Sequence, residues 1–463
     1  MKQFILLLFL LPLLLNAQTE NKKIFSVDDF IQQVKQYHPL AKQANIQVKK
    51  AQADLQSARG NFDPSLAFSA DRKTFDGTNY YYYNNPELKI PTPLPLDIKT
   101  GLEDNGGKYL SSEVTNGQTS YVGVEMNLAK GLITDKRRTF LKQAKIFQSQ
   151  TEQEKLKAIN DLLFDAYVAY WQWAGAFQQQ RTFNTYVNIA TNRLKLITIG
   201  YVNGDKALTD TIEAFVQLQN YQMQLADALI KFNTASLELS NYLWLANDSA
   251  YALPNNYLPD TVQFNKTLMP LPLDQLVNQA ITVNPSLKMY NYKLDALEAE
   301  KKLKFQSLLP TLNVKANLLN KGYNVFNGIE TNYLQNNYKY GVEFKMPLFI
   351  REGRGDYKKV KLKIEETNLE YQSKKWQIEN KVKNYFNEAT LLLQQLTIAQ
   401  NAYYNYDFLL RNEVLKFNNG ESSLFMINSR EAKLIEMQQK IIELKVKYYK
   451  ARYATEWSAG LLK

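Results

Sequence analysis

The chain has 463 residues, no cysteine and a formal net charge of +11. Lack of cysteine excludes a disulfide-stapled scaffold and a thiol nucleophile. Lysine is spread widely and accompanies no nucleic-acid module, so the charge reads as a solvated basic surface, and no nucleic-acid partner is expected.

Residues 1–17 have the pattern of an export signal: Lys2 at the positive end, an apolar run from Phe4 to Leu15, and a cleavage point after Ala17. No Cys follows to carry a lipid. Export without disulfides fits a Gram-negative envelope. No later run reaches about 18 apolar residues, so helical membrane spans are excluded and a membrane role has to use β-strands.

After the signal the chain repeats itself. Pro39 and Pro64 stand 25 residues apart, as do Pro285 and Pro310, at a constant offset of 246. The repeat divides the mature chain into halves, 18–260 and 261–463, each reading helix, strand, loop, strand, long helix, turn, helix. The first helix spans about Asp28 to Gly60 and its counterpart Asp274 to Leu309, and each carries a proline (Pro39, Pro285) that should break it in two.

Four strands alternate. Leu66, Phe68 and Ala70 oppose Ser65, Ser69 and Asp71. Val122, Val124, Met126 and Leu128 oppose Gly123, Glu125 and Asn127. Leu312, Val314, Ala316 and Leu318 oppose Asn313, Lys315 and Asn317, and Tyr338, Tyr340, Val342, Phe344 and Met346 oppose Lys339, Gly341, Glu343 and Lys345. Each is about 8–11 residues long, enough for a tilted transmembrane strand. One apolar and one charged face suits lipid on one side and water on the other. An ordinary half-buried sheet has the same period, so alternation leaves both readings open. The first-half connection, 74–120, reads as a long loop rich in Tyr and Pro, with Tyr80 to Tyr83, Pro86, Pro91, Pro93, Pro95 and Gly106-Gly107. The second, near Gly322 to Asn337, is shorter.

Long helices follow over about 135–199 and 352–417, each roughly 100 Å. Leu156, Ile159, Leu163, Ala166, Tyr170, Trp173 and Phe177 keep a 3-4 spacing, as do Val382, Tyr385, Ala389, Leu392, Leu396, Ala399, Tyr403, Tyr406 and Leu410, and the final helix repeats it from Leu434 to Ala451. These are coiled-coil seams. Asn203-Gly204 and Asn419-Gly420 supply the positive φ that ends such a helix before the chain turns back.

Four strands cannot close a barrel, for which about eight is the practical minimum. Open edges in lipid would leave unpaired backbone groups, so transmembrane strands require several chains; three would supply twelve strands. The duplicated order, the passage Met346-Pro347-Leu348-Phe349 with Arg354-Gly355, and the turn pattern Gly204 to Asp210 then Leu218, repeated over Gly420 to Leu434, resemble the outer membrane efflux proteins of the TolC type. That resemblance implies an α+β membrane protein: long α-helical coiled-coil hairpins plus four transmembrane β-strands per chain, a homotrimeric twelve-strand barrel, and an α-helical periplasmic tunnel. It implies an outer-membrane exit duct of a tripartite efflux or type I secretion system. The partners are then a periplasmic adaptor and an inner-membrane pump of RND or ABC type, with outer-membrane lipid around the barrel. The alternative is a non-transporting envelope coiled-coil scaffold or adhesin.

By the same resemblance, acidic residues ring the axis near the helix-to-helix turns. Asp210 takes that place here, with Asp205 and Glu421 as nearby candidates; a solvated carboxylate at a helix start is the plainer reading. In the second half the family's acidic positions correspond to Met426 and Ser429, and its Tyr and Arg partners to Phe417 and Ser422, so other contacts must hold the turns. Glu125, Glu343, Lys345, Lys315 and Lys339 fall on the expected inner barrel face. His38, the one histidine, reads as a helix-break residue. With no Cys, no second His, no phosphate-cradling loop and no GxSxG elbow, neither enzymatic chemistry nor a cofactor or metal is expected.

Overall fold

The computed structural model describes residues 22–266, 271–323 and 336–463. The export signal over 1–17, and most of the connection expected near Gly322 to Asn337, lie outside the described residues. In chain order the elements are β1 (Lys23–Phe25), α1 (Val27–Tyr37), α2 (Pro39–Arg59), β2 (Ser65–Phe75), β3 (Thr78–Pro91), β4 (Leu96–Gly106), β5 (Gly117–Asn127), α3 (Lys136–Val202) and α4 (Leu208–Ser240). Then come β6 (Tyr257–Pro259), α5 (Thr261–Asn265), α6 (Leu273–Val283), α7 (Pro285–Gln306), β7 (Thr311–Lys321), β8 (Tyr338–Lys345), α8 (Arg351–Asn418) and α9 (Leu424–Ala459).

Local chemistry sets many of these limits. Ser26 caps α1, its Oγ accepting from the Asp29 amide at 3.1 Å, with Asp28 and Asp29 in the first turn where the helix dipole favours them. The helix stops at His38, whose backbone is extended because the proline that follows disfavours helical geometry. Pro39 then opens α2 as a first-turn proline, which needs no amide partner. The second half repeats this: Asn284 caps α7, accepting from the Ser286 amide, with Pro285 in its first turn. Both expected helix breaks are present. Each long helix, 67 residues in α3 and 68 in α8, ends before a glycine with φ of +81° (Gly204) or +78° (Gly420).

One expectation is corrected. Segment 74–120 is not a loop but holds two strands, β3 and β4, and among the described residues the sheet runs β2-β3-β4-β5-β7-β8, six strands where four were expected. Its prolines misled because they sit where a ladder tolerates them. Pro86 lies where the β3–β4 pairing skips from Asn84↔Asp104 to Glu87↔Gly101, so its missing N–H costs no rung of that ladder, and Pro91 ends β3. Pro93 and Pro95 form the tight connection, where the Thr92 hydroxyl donates to the Leu96 carbonyl at 2.6 Å and accepts from the Leu94 amide at 3.2 Å.

The chain divides into two units. One comprises residues up to Pro39 with Leu163–Pro270 and Phe386–Tyr453; the other comprises Leu40–Leu162, Leu271–Tyr385 and Ala454–Lys463. The first has an aromatic core. Trp171 stacks on Tyr449 with ring centroids 3.6 Å apart, and the buried Tyr170 hydroxyl donates to the Phe25 carbonyl at 2.8 Å. Further along, Phe183, Tyr186 and Ala190 of α3 close on Leu218, Tyr221 and Ala228 of α4 and Ile435 of α9. Seam residues Leu163, Ala166, Tyr170, Trp173, Ala389, Leu392, Leu396 and Ala399 are buried, as their spacing predicts. The second unit contains the sheet. There Asn160 of α3 donates to the Trp457 carbonyl and accepts from the Leu462 amide, tying the C-terminal residues to α3.

Candidate functional site: the sheet wall and the helical turns

Strand pairing sorts the sheet into two chemically distinct faces. Leu66, Leu88, Thr100, Val122, Leu318 and Tyr338 are successive partners across all six strands, and Ile90, Ile98, Val124, Ala316 and Tyr340 form the next row. Leu66 (78%), Phe68 (68%), Tyr340 (73%), Val342 (62%) and Phe344 (66%) are exposed, far more apolar surface than a soluble monomer usually presents in one patch.

The opposite face is charged. Ser65, Lys89, Lys99, Gly123, Asn317 and Lys339 make one row, and Pro91, Asp97, Glu125, Lys315 and Gly341 the next. Glu125, Lys315, Lys339, Glu343 and Lys345 therefore share a face, as alternation predicts. Glu125 pairs with Lys315 at 3.6 Å and more closely with Lys99 at 2.9 Å. Asp97 takes Lys89 at 3.1 Å and Arg137, at the start of α3, at 2.9 Å. The Lys339 ammonium donates to the Glu113 carbonyl at 3.1 Å. Glu87, Lys89, Asp97 and Lys99 share this face as well: the prolines and glycines around them mask the strand signal, although Leu88, Ile90, Leu96 and Ile98 alternate with them.

At the helical turns Asp210 stands in the first turn of α4, its Oδ2 accepting from the Ala207 amide at 3.2 Å, so it caps the helix. Asp205 and Glu421 are exposed, and among the described contacts no bond gathers these three carboxylates. Phe417 lies under the Lys206 ammonium, 4.2 Å from the ring centroid, and the Ser422 hydroxyl donates to Glu413 at 2.5 Å. Met426 and Ser429 are exposed.

Deeper in the hairpins lies a polar cluster that spacing did not reveal. Glu431 of α9, only 2% exposed, receives both Arg193 guanidinium nitrogens of α3 at 2.7 and 2.9 Å and the Tyr221 hydroxyl of α4 at 2.7 Å. Burial, reinforced by the Glu431 charge, raises the Tyr221 hydroxyl well above the usual tyrosine range, so it stays a donor. Nearby Asn428 donates to Glu213 at 3.0 Å. Sequence offered one signal, a Glu at a position of α9 flanked by apolar residues Ile427, Leu434 and Ile435.

Among the described residues there is no group of three His, Cys, Asp or Glu able to hold a metal, and no helix long and apolar enough to cross a membrane. The family model for outer membrane efflux proteins matches residues 30–243 and 276–455, well over half of the chain. The chain belongs to that family. It is a family of transport proteins, not enzymes. The chain is similar in structure to the open state of the MtrE outer membrane channel of Neisseria gonorrhoeae (TM-score 0.66, 13% identity, 94% of this chain and 89% of that one). It is similar to the CmeC outer membrane channel of Campylobacter jejuni (0.64, 13%, 94% and 86%) and to the outer membrane protein VceC of Vibrio cholerae (0.62, 14%, 94% and 96%). At such identities these likenesses show the fold, that of a TolC-type α+β channel. No curated protein matches the chain in sequence.

Proposed function

We propose that this efflux-family chain is the outer-membrane exit duct of a tripartite efflux or type I secretion system, acting as a homotrimer with a periplasmic adaptor and an inner-membrane pump. The sheet carries the reading: an apolar, largely exposed band across its strands on one face, a charged opposite face, and, among the described residues, two open edges, β2 and β8. Such a sheet is stable in lipid only if copies close its edges. A second observation points the same way. On α4, Val216, Met223, Ile230 and Leu237 recur every seventh residue and are exposed (47, 63, 64 and 66%). A heptad stripe left exposed by the described residues of its own chain is the mark of a coiled-coil neighbour.

The duct is passive. Glu125, Lys315, Lys339, Glu343 and Lys345 line the water side of the barrel, where fixed charges bias which ions pass. Asp210, with Asp205 and Glu421, lines the periplasmic constriction. Copies of Asp210 around a narrow axis repel one another and attract cations, while each also caps its helix.

The tests are a heat-resistant trimer band in outer-membrane fractions and single-channel conductance in planar bilayers. Asp210→Asn, which keeps much of the capping geometry, should weaken block by divalent cations at least several-fold. A soluble monomer without conductance would replace the duct by a scaffold or adhesin; unchanged block would remove Asp210 from the aperture.

A further inference from the structure

We infer that hairpin β3–β4 is a lipid-spanning part of the wall, so that three copies close an eighteen-strand barrel in place of the twelve strands that the four-strand pattern implied. This rests on the duct reading above. Among the described residues six strands form one sheet; the inference concerns what the inserted pair does.

The pair has the full height of the wall. β2 pairs with β3 from Ser65↔Lys89 to Phe75↔Thr78, and β4 pairs with β5 from Leu96↔Met126 to Asn105↔Gly117. It is also two-faced in phase with its neighbours. Leu88, Ile90, Leu96 and Ile98 fall in the apolar rows, and Glu87, Lys89, Asp97 and Lys99 in the charged ones. A surface flap needs no such phase, whereas a strand between lipid and water does.

Both sides of the insert are fitted to the sheet. Gly101 has no side chain where the Tyr121 ring crosses it: a Cβ there would lie 2.7 Å from that ring. The Tyr121 hydroxyl thereby reaches over β4 to donate to Glu87 of β3 at 2.5 Å. Asp97 fastens the connection between β3 and β4 to Arg137 at 2.9 Å.

Parity permits closure. All neighbouring strands are antiparallel, so β2 and β8 run in opposite directions and β8 of one copy can pair antiparallel with β2 of the next. An inserted pair preserves that alternation, where a single strand would destroy it. Diameter rises roughly in proportion to strand number. At a spacing of about 4.8 Å and a tilt of about 40°, eighteen strands enclose a backbone cylinder about 35 Å across and twelve about 24 Å.

The chain has no cysteine, so single cysteines can be introduced on a clean background. In the full-length protein in liposomes, a fluorophore on Leu88→Cys or Ile98→Cys should be quenched by brominated lipid as strongly as one on Val122→Cys or Val314→Cys, and one on Lys99→Cys should not. Quenching at 122 and 314 but not at 88 and 98, with 88 and 98 open to water-soluble maleimide, overturns the insert as wall and leaves the duct intact. Lack of quenching at all four overturns the duct reading and this inference together. Independently, uncharged polyethylene glycols added from the β2–β3 turn side should enter the native barrel at sizes about 1.5-fold larger than they enter a variant in which 77–116 is replaced by a two-residue turn. Equal size limits for two conducting trimers would overturn the wider barrel.

Discussion

At the residue scale, the most consequential side chain is Glu431. A carboxylate so deeply buried costs stability unless it is paired and hydrogen-bonded, and here two guanidinium nitrogens and one phenol meet it. Removing one partner leaves an uncompensated charge. Arg193→Met is expected to destabilise the helical hairpins by about 3–5 kcal/mol, whereas adding Glu431→Leu to it should restore most of that loss. Thermal unfolding of the purified protein, followed by helical circular dichroism as a double-mutant cycle, checks this; additive losses would deny the coupling. The cluster joins α3 and α4 to α9.

His38 gives a pH dependence of known sign. Burial beside Tyr242 and Trp244 lowers its pKa below the ordinary value, against a smaller opposing effect of the Asn241 backbone. The unfolded chain then binds its proton more readily than the folded one, so stability rises with pH. The contribution is present above the unfolded pKa of about 6.5 and is lost as pH falls from there through the folded value. Melting temperature should drop more between pH 7.5 and 5 for the native protein than for His38→Gln. Equal drops would show that His38 does not titrate in this window.

At the element scale, sequence reading succeeded where the signal is local. Proline breaks at Pro39 and Pro285, the Asn-Gly turns, and the heptad seams all act through a residue's own backbone or through neighbours one turn away. It fails over 74–120 because proline and glycine, ordinarily loop residues, here stand inside paired strands. Gly101 and Gly106 are instead the sites over which the Tyr121 and Tyr82 rings lie. Gly101→Val should therefore cost about 1–3 kcal/mol by overpacking, and Tyr121→Ser in the same chain should recover part of it. Unfolding temperatures of the two variants decide the matter; a neutral Gly101→Val would mean that the Tyr121 ring has another place to go.

At the scale of the whole molecule, the exposed stripe Val216, Met223, Ile230 and Leu237 and the sheet edges β2 and β8 are the surfaces on which the proposed trimer rests. Met223→Glu with Ile230→Glu places charges in the proposed helix–helix contact and should abolish the trimer while leaving the monomer's helix content within about 10% of native, since surface substitutions cost little within one chain. Cross-linking and size measurement in detergent read this directly. A persisting trimer would place the contact elsewhere.

By itself the sequence determined periods and stops: which stretches wind, which extend, where each ends, and that the plan is repeated. Those depend on backbone sterics and on side chains a few positions apart. It also determined that Glu125, Lys315, Lys339, Glu343 and Lys345 share a face, because a strand's side chains alternate. Only the tertiary structure decided which ribbons pair. Residues 78–106 join the sheet because β2 and β5 offer their backbone bonds on either side, a non-local fact that no window along the chain contains. Arg193 finds Glu431 across 238 positions for the same reason: distance along a chain says nothing about distance in space until the hairpins have packed.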